Sequence, residues 1–433
     1  MSRVVVVGGG FGGTATAARL AKLGHRVTVV ERRDRLGGAV GFVERDGFRW
    51  DAGPTATALP AVLRDLFRKS GRPLERELEL VPVDPLREHR FPDGTRLALP
   101  SGGRAGQLDA VEAALGGRLG RVWVDYVHGF AETWDLLRRS YLEHPWSREH
   151  ADPRAVATLR SRASLQREAA RALPDERLRE LALFPARLDG QDPRRTPAWA
   201  GMVAYVEQSF GLWTVPGGLG ALAAAMGKRL AERRVDVLLG TAVRDLRLRA
   251  GRVVGVDTDA GPLDAEEVVC AVDPATLPAL ARHARRSTPA PPPSVSHLGL
   301  VGDVPGLAAE VVLHGDPMLV VRTGGRAPEG AAAWTVLARG SVAEDVVATL
   351  ARRGIDVRGR VEVRVDRAPL AQTQALAGSP YGVLWRGRGT VDRKLAGPPY
   401  DGLHLAGAHA AAGAGLPFVG LSAAVVAARI GPA

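Results

Sequence analysis

An α/β fold opening on a parallel βαβ unit is predicted by three observations in the first 31 residues. They are an apolar β run, a glycine-rich loop leading into a helix, and a second β-branched run ending on an acid. Val4-Val5-Val6-Val7 is apolar throughout, as a strand covered on both faces of a parallel sheet requires. Thr14 to Leu23 is small and apolar with helical spacing, and Gly24 stands where that helix should stop. Arg26-Val27-Thr28-Val29-Val30 reads as the second strand and ends at Glu31.

The loop between strand and helix carries the first chemistry. Gly8, Gly10 and Gly13 fit G-x-G-x-x-G, with Gly9, Phe11 and Gly12 between them. The first glycine permits a tight turn off the strand, the second a close backbone approach to a pyrophosphate, and the third close helix–strand packing. The pyrophosphate would sit on the amino end of the helix starting near Gly12. Glu31, 18 residues past Gly13, is placed to accept hydrogen bonds from ribose hydroxyls, and its charge disfavours a 2′-phosphate. Glycine loops also serve plain turns, but here strand, glycines, helix, strand and acid occur in order. The unit is therefore read as a Rossmann-type dinucleotide site, and the motif alone leaves the kind of dinucleotide open.

Along the rest of the chain, residues 56–80 read as helical. Residues 121–146 read as one long amphipathic helix, with Trp123, Tyr126, Val127, Phe130, Trp134 and Leu137 at three- and four-residue spacing. Further helices are expected within 155–182 and from Gly217 to Arg233. Strands are expected at Val235–Leu239, Val243–Arg249, Val253–Asp257 and Val268–Val272. Pro289 to Pro293 reads as a crossing between domains. Residues 294–385 should mix short strands with a helix near 341–353, and Leu403–Ala408 reads as a last strand. The α/β signals at both ends and the helices in the middle imply a nucleotide domain built from separate segments: 1–75, 216–290 and 396–433. An α+β substrate domain with a helical part would be inserted as 76–215 and 291–395.

Composition bounds the partners. The 433 residues carry a net charge of +11, yet only four of the 58 basic residues are lysine, and the arginines are scattered. Arginine on a solvated surface explains this better than a nucleic-acid patch, and no nucleic-acid motif is present. Peripheral contact with an anionic membrane face fits the charge. One cysteine, Cys270, excludes an internal disulfide and fits a reducing cytoplasm. No secretory leader is expected, because no basic region, long apolar stretch and cleavage site precede Val4. Leu405 to Ala428 has no charged residue, but glycines, Pro417 and many alanines make it a buried loop and helix rather than a membrane span.

Several further segments carry a resemblance. Glu31-Arg32-Arg33-Asp34-Arg35-Leu36-Gly37-Gly38 resembles the second signature of the flavin amine oxidase and phytoene desaturase superfamily, in which an acid, a basic residue and a glycine pair cradle FAD. Gly47-Phe48-Arg49-Trp50-Asp51-Ala52-Gly53-Pro54-Thr55 is similar to another family segment. Phe210 to Leu222 is similar to the carotenoid desaturase form G-x-W-x-P-x-G-G-x-G-A-L. Gly240 to Val243 resembles the strand whose valine backbone meets the adenine in relatives. Ala327 to Gly330 resembles a further segment. Gly407 and Ala408, followed by Gly415, Leu416 and Pro417, resemble the C-terminal flavin loop. The chain departs from the pattern at Ala39, where the family usually has arginine. It departs again at Ala410-Ala411-Ala412, near the family's Thr-His-Pro run. These departures mark a divergent branch.

The resemblance implies FAD as cofactor, an apolar isoprenoid or carotenoid-like substrate, and dehydrogenation of a C–C bond by hydride transfer to flavin. Oxygen or a quinone would reoxidise the flavin. No Ser/His/Asp set or metal cluster competes for the role, so no metal is expected. His409 is the one candidate catalytic residue, and a hydrogen-bonded loop histidine is the plainer reading. Arg187 and Asp189 fall where a desaturase has a glycine-rich stretch near the substrate, and a surface salt bridge is the plainer reading for them. Trp213 and Phe418 are candidates for the pocket wall or for core. Three rivals stay open. They are a flavin amine oxidase (for which Lys394 is the only loosely placed lysine), a porphyrinogen-type oxidase, and a flavoprotein that has lost catalysis.

Overall fold

The computed structural model describes residues 1–147, 149, 151–391 and 398–433; Lys394 and the expected domain boundary at 395/396 lie outside the described residues. The opening unit forms as its pattern dictates: strand β1 (Arg3–Val7), helix α1 (Phe11–Lys22) and strand β2 (Arg26–Val30). β1 is the middle strand of a five-stranded parallel sheet. Its order is Leu403–Leu405, Glu267–Cys270, β1, β2, Asp236–Leu238. Strands from three distant stretches thus meet in one sheet. The valines of β1 and β2 are buried on both faces, which accounts for their unbroken apolar run.

A second sheet has seven strands, mostly antiparallel, in the order Val361–Arg367, Ser294–Val301, Ala331–Arg339, Met318–Gly325, Glu310–Leu313, Arg87–Arg90, Arg96–Leu99. Glu310–Leu313 and Arg87–Arg90 pair in parallel, so an early hairpin extends a sheet built from residues 294–367. These strands run to eight and nine residues, longer than the short strands expected. Helices between Arg104 and Phe210 pack into one apolar cluster.

Two helices differ from expectation. The long helix at 121–146 is broken into Leu119–His128, Ala131–Leu137 and a π-turn at Arg138–Leu142. Glycine is a poor helix former, and the chain turns at Gly129-Phe130. The turn drives the Phe130 ring against Gly201, where no side chain would fit. The helix expected from Gly217 begins at Ala221, because Gly217 and Gly218 hold φ of +82° and +110°. Its amino end is met by Asp51, whose carboxylate accepts from the N–H groups of Leu219 (3.2 Å) and Gly220 (2.7 Å).

Candidate functional site

A cavity of about 1380 Å³ runs from the glycine loop into the space between the second sheet and the helices. This exceeds the roughly 300–1,000 Å³ of a pocket for one small ligand. At one end its wall is backbone. Gly8 turns off β1 with φ +100°, and Gly10 leaves open space where a Cβ would meet nothing nearer than 3.8 Å. Gly12 lies so close to Gly407 that a Cβ would stand 2.7 Å from its Cα, and a Cβ on Gly13 would overlap the Gly8 carbonyl. Only glycines let the helix, the strand and the C-terminal loop come together here. The amino end of α1 has no side-chain cap and no acidic residue in its first turn, so its donors suit an anion. The C-terminal helix Leu416–Ile430 begins at the cavity in the same uncapped way.

The acid of the motif is held in place. Glu31 is buried; its Oε2 accepts from the Gly9 N–H at 2.7 Å and its Oε1 from the Arg33 N–H at 2.9 Å. Arg33 donates to the Gly38 carbonyl at 3.0 Å, and burial lowers its pKa, with Arg35 adding to the effect. Arg32 donates to the carbonyls of Gln374 (2.8 Å) and Ala375 (2.6 Å). Gly37 donates to the Gly9 carbonyl at 2.8 Å, which joins the two glycine segments.

The residues singled out from sequence converge. Gly8, Gly10, Phe11, Gly12, Glu31, Arg32 and Arg33 line the cavity, as do Gly37, Gly38, Gly53, Pro54 and Thr55. So do Val243, Gly407, Ala408, His409, Gly415, Leu416, Pro417 and Phe418. Gly13 does not reach the wall and serves only the packing of α1 on β1. Trp213 is also off the wall: it sits in a short strand beside Thr57 and donates to the Phe210 carbonyl. His409 Nε2 lies 3.2 Å from the Ser379 carbonyl and Nδ1 lies 3.7 Å from Asp273.

A second stretch of wall was not foreseen. Arg87 is buried and donates to both oxygens of Glu207 (2.6 and 3.1 Å) and to Glu310 (2.9 Å), which also accepts from Arg322 at 2.8 Å. Burial opposes the charges, but the paired partners prevail, raising Arg87 and lowering Glu310 from their usual pKa values. Asp189 stands beside this network. The expected surface salt bridge is not there: Arg187 pairs with Glu180, while Asp189 faces the cavity. Asp189 is exposed, and it lines the cavity. Burial pushes its carboxyl up to about 6, against the pull of Arg339 and Arg322 and with the help of Glu207. The one signal in sequence was an acid interrupting an apolar run, Glu310 between Leu307-Ala308-Ala309 and Val311-Val312-Leu313.

The stretch 11–305 matches the family described as flavin containing amine oxidoreductase. The chain belongs to that family. Its cofactor is accordingly FAD, and the volume, the uncapped helix ends and the held carboxylate fit such a group. Among curated proteins, this flavoprotein is 31% identical to phytoene dehydrogenase of Streptomyces griseus over 327 residues, which cover 73% of this chain and 64% of that protein. The chain thus spans less than two thirds of that relative. It is 29% identical to hydroxyneurosporene desaturase of Cereibacter sphaeroides, covering 97% of this chain and 95% of that one. Among solved structures, putrescine oxidase bound to putrescine superposes with a TM-score of 0.72 at 18% identity, over 99% of this chain and 98% of that one. At that identity the likeness speaks to the fold alone. Among the described residues no helix is long and apolar enough to cross a membrane, and no cluster of three or more metal-ligating side chains occurs.

Proposed function

We propose that this flavoprotein desaturates a C–C bond of an isoprenoid-type substrate. The observation that carries the reading is one continuous cavity. The same space that touches the glycine loops extends between apolar side chains such as Leu165, Ala182, Ala200, Val203, Val295 and Leu337. A long apolar molecule would fit in that chamber, shielded from water. Gly8, Gly10 and Gly12 would receive the pyrophosphate at the amino end of α1, and Glu31 the adenosine ribose. Gly407, Gly415 and Leu416 would stand along the flavin. FAD, when bound, supplies a two-electron acceptor for hydride. The protein's part is to orient the substrate and keep the chamber dry. The relatives named as carotenoid desaturases support this substrate class. Reoxidation by oxygen or a quinone belongs to the same proposal, as does loose contact with anionic lipid, for which the net charge of +11 is suited. Expression of the chain in cells that accumulate a carotenoid precursor with saturated C–C bonds still to be oxidised tests it. Products with added double bonds are expected, dependent on bound FAD. An unchanged precursor pool beside folded, FAD-loaded protein would overturn it.

A further inference from the structure

We infer that the substrate carries a hydrogen-bond-donating polar group, an alcohol or an ammonium, and that Asp189 is the residue that receives it. The inference rests on reading the cavity as the substrate chamber.

The reasoning begins with which charged groups are already satisfied. Arg87 makes three hydrogen bonds to Glu207 and Glu310, and Arg322 donates to Glu310 and lies 3.4 Å from the Gly53 carbonyl. Arg339 donates to the carbonyls of Leu188 and Pro291 and stacks over the Tyr381 ring at 4.8 Å. The two glutamates accept from arginine at both oxygens. Asp189 alone among these acids has no hydrogen-bond or ion-pair partner among the described residues, and it opens into the cavity. Asp189 is exposed to the cavity, so an apolar body filling the chamber would strip its water, a desolvation penalty that a ligand donor would relieve. A pure hydrocarbon would leave that penalty standing. An anionic ligand group is disfavoured too, since every nearby arginine already has acceptors and Asp189 would repel it. The neighbours on the same helix end, Pro185, Ala186 and Leu188, are apolar and line the cavity, so the polar group would sit on an otherwise apolar body.

The groups facing Asp189 also set a pH dependence. Arg339 and Arg322 come from the second sheet, Glu207 from the helix Met202–Phe210, and Tyr381 from the loop after residue 377. Their combined effect with burial places the carboxyl near 6. A carboxylate accepts from an alcohol better than the neutral acid does, so donor binding should tighten as pH rises through about 6.

The test uses the FAD-loaded protein and three probes on one carbon skeleton: farnesol, farnesyl methyl ether and farnesylamine. Binding is read from the change in flavin absorbance without oxygen, so turnover is not required. Farnesol or farnesylamine should bind about 10-fold or more tightly than the ether, the scale of one hydrogen bond to a charged group. Asp189→Leu should reduce the preference to within about 2-fold, Asp189→Asn should retain part of it, and both should abolish the rise in affinity through pH 6. FAD content and circular dichroism establish that each variant is folded. A stronger farnesol signal assigns the donor as an alcohol, and a stronger farnesylamine signal assigns it as an ammonium. Equal binding of ether and both donors, an undiminished preference in Asp189→Leu, or no response to any probe would overturn the inference. Because no product is measured, Asp189-dependent binding would stand even if the precursor experiment showed no desaturation.

Discussion

Around the glycine loop the cavity wall is main chain; where Arg87, Asp189, Glu207, Glu310 and Arg322 meet it is charged side chain. The first region is assembled from neighbours in sequence. β1, its turn and α1 occupy residues 3–22, and the close approaches at Gly12 and Gly13 follow from the absence of a Cβ. The second draws on separate elements, and the charges of Arg87, Glu207, Glu310 and Arg322, from four of them, are tolerable only because another element supplies the counter-charge. A backbone site is therefore robust to what lies elsewhere in the chain, whereas a buried ionic site fails when any one member is lost.

Breaking the ionic region should have the largest effect. Arg87→Met strands Glu207 and leaves Glu310 with Arg322 alone, and should cost about 3–5 kcal/mol of stability, read as a lowered urea midpoint. Breaking the backbone region should be the next largest. Gly13→Val forces a side chain into the Gly8 carbonyl and should cost on the order of 3 kcal/mol, with the flavin colour lost on purification. An FAD-replete variant of normal stability would contradict the packing argument. A smaller change sharpens the comparison. Glu31→Gln removes the charge that holds the Gly9 and Arg33 N–H groups and should weaken FAD binding roughly 10- to 100-fold, measured by titrating the apoprotein.

Much of the cradle was legible because its requirements are local. The spacing of Gly8, Gly10 and Gly13, the valine run and Glu31 each follow from geometry within a few residues, and all but Gly13 among the nominated cofactor residues stand on the cavity wall. The helices of the middle third were legible in kind but less so in extent. Apolar periodicity ran on through Gly129-Phe130, where the helix breaks at the glycine and the Phe130 ring packs against Gly201. Asp189 was misjudged for a related reason. Arg187 lies two positions away and looks like a partner, yet it reaches Glu180, and helix geometry turns the two side chains to different surroundings.

By itself the sequence determined the parallel βαβ opening, the dinucleotide loop and the family, because strand and helix periods, glycine spacing and a terminal acid are short-range properties. Tertiary structure alone decided that Arg87, Glu207, Glu310, Arg322 and Asp189 share one cavity. The physical reason is that buried charges are sustained by partners in space, brought together here by an early hairpin joining a late sheet.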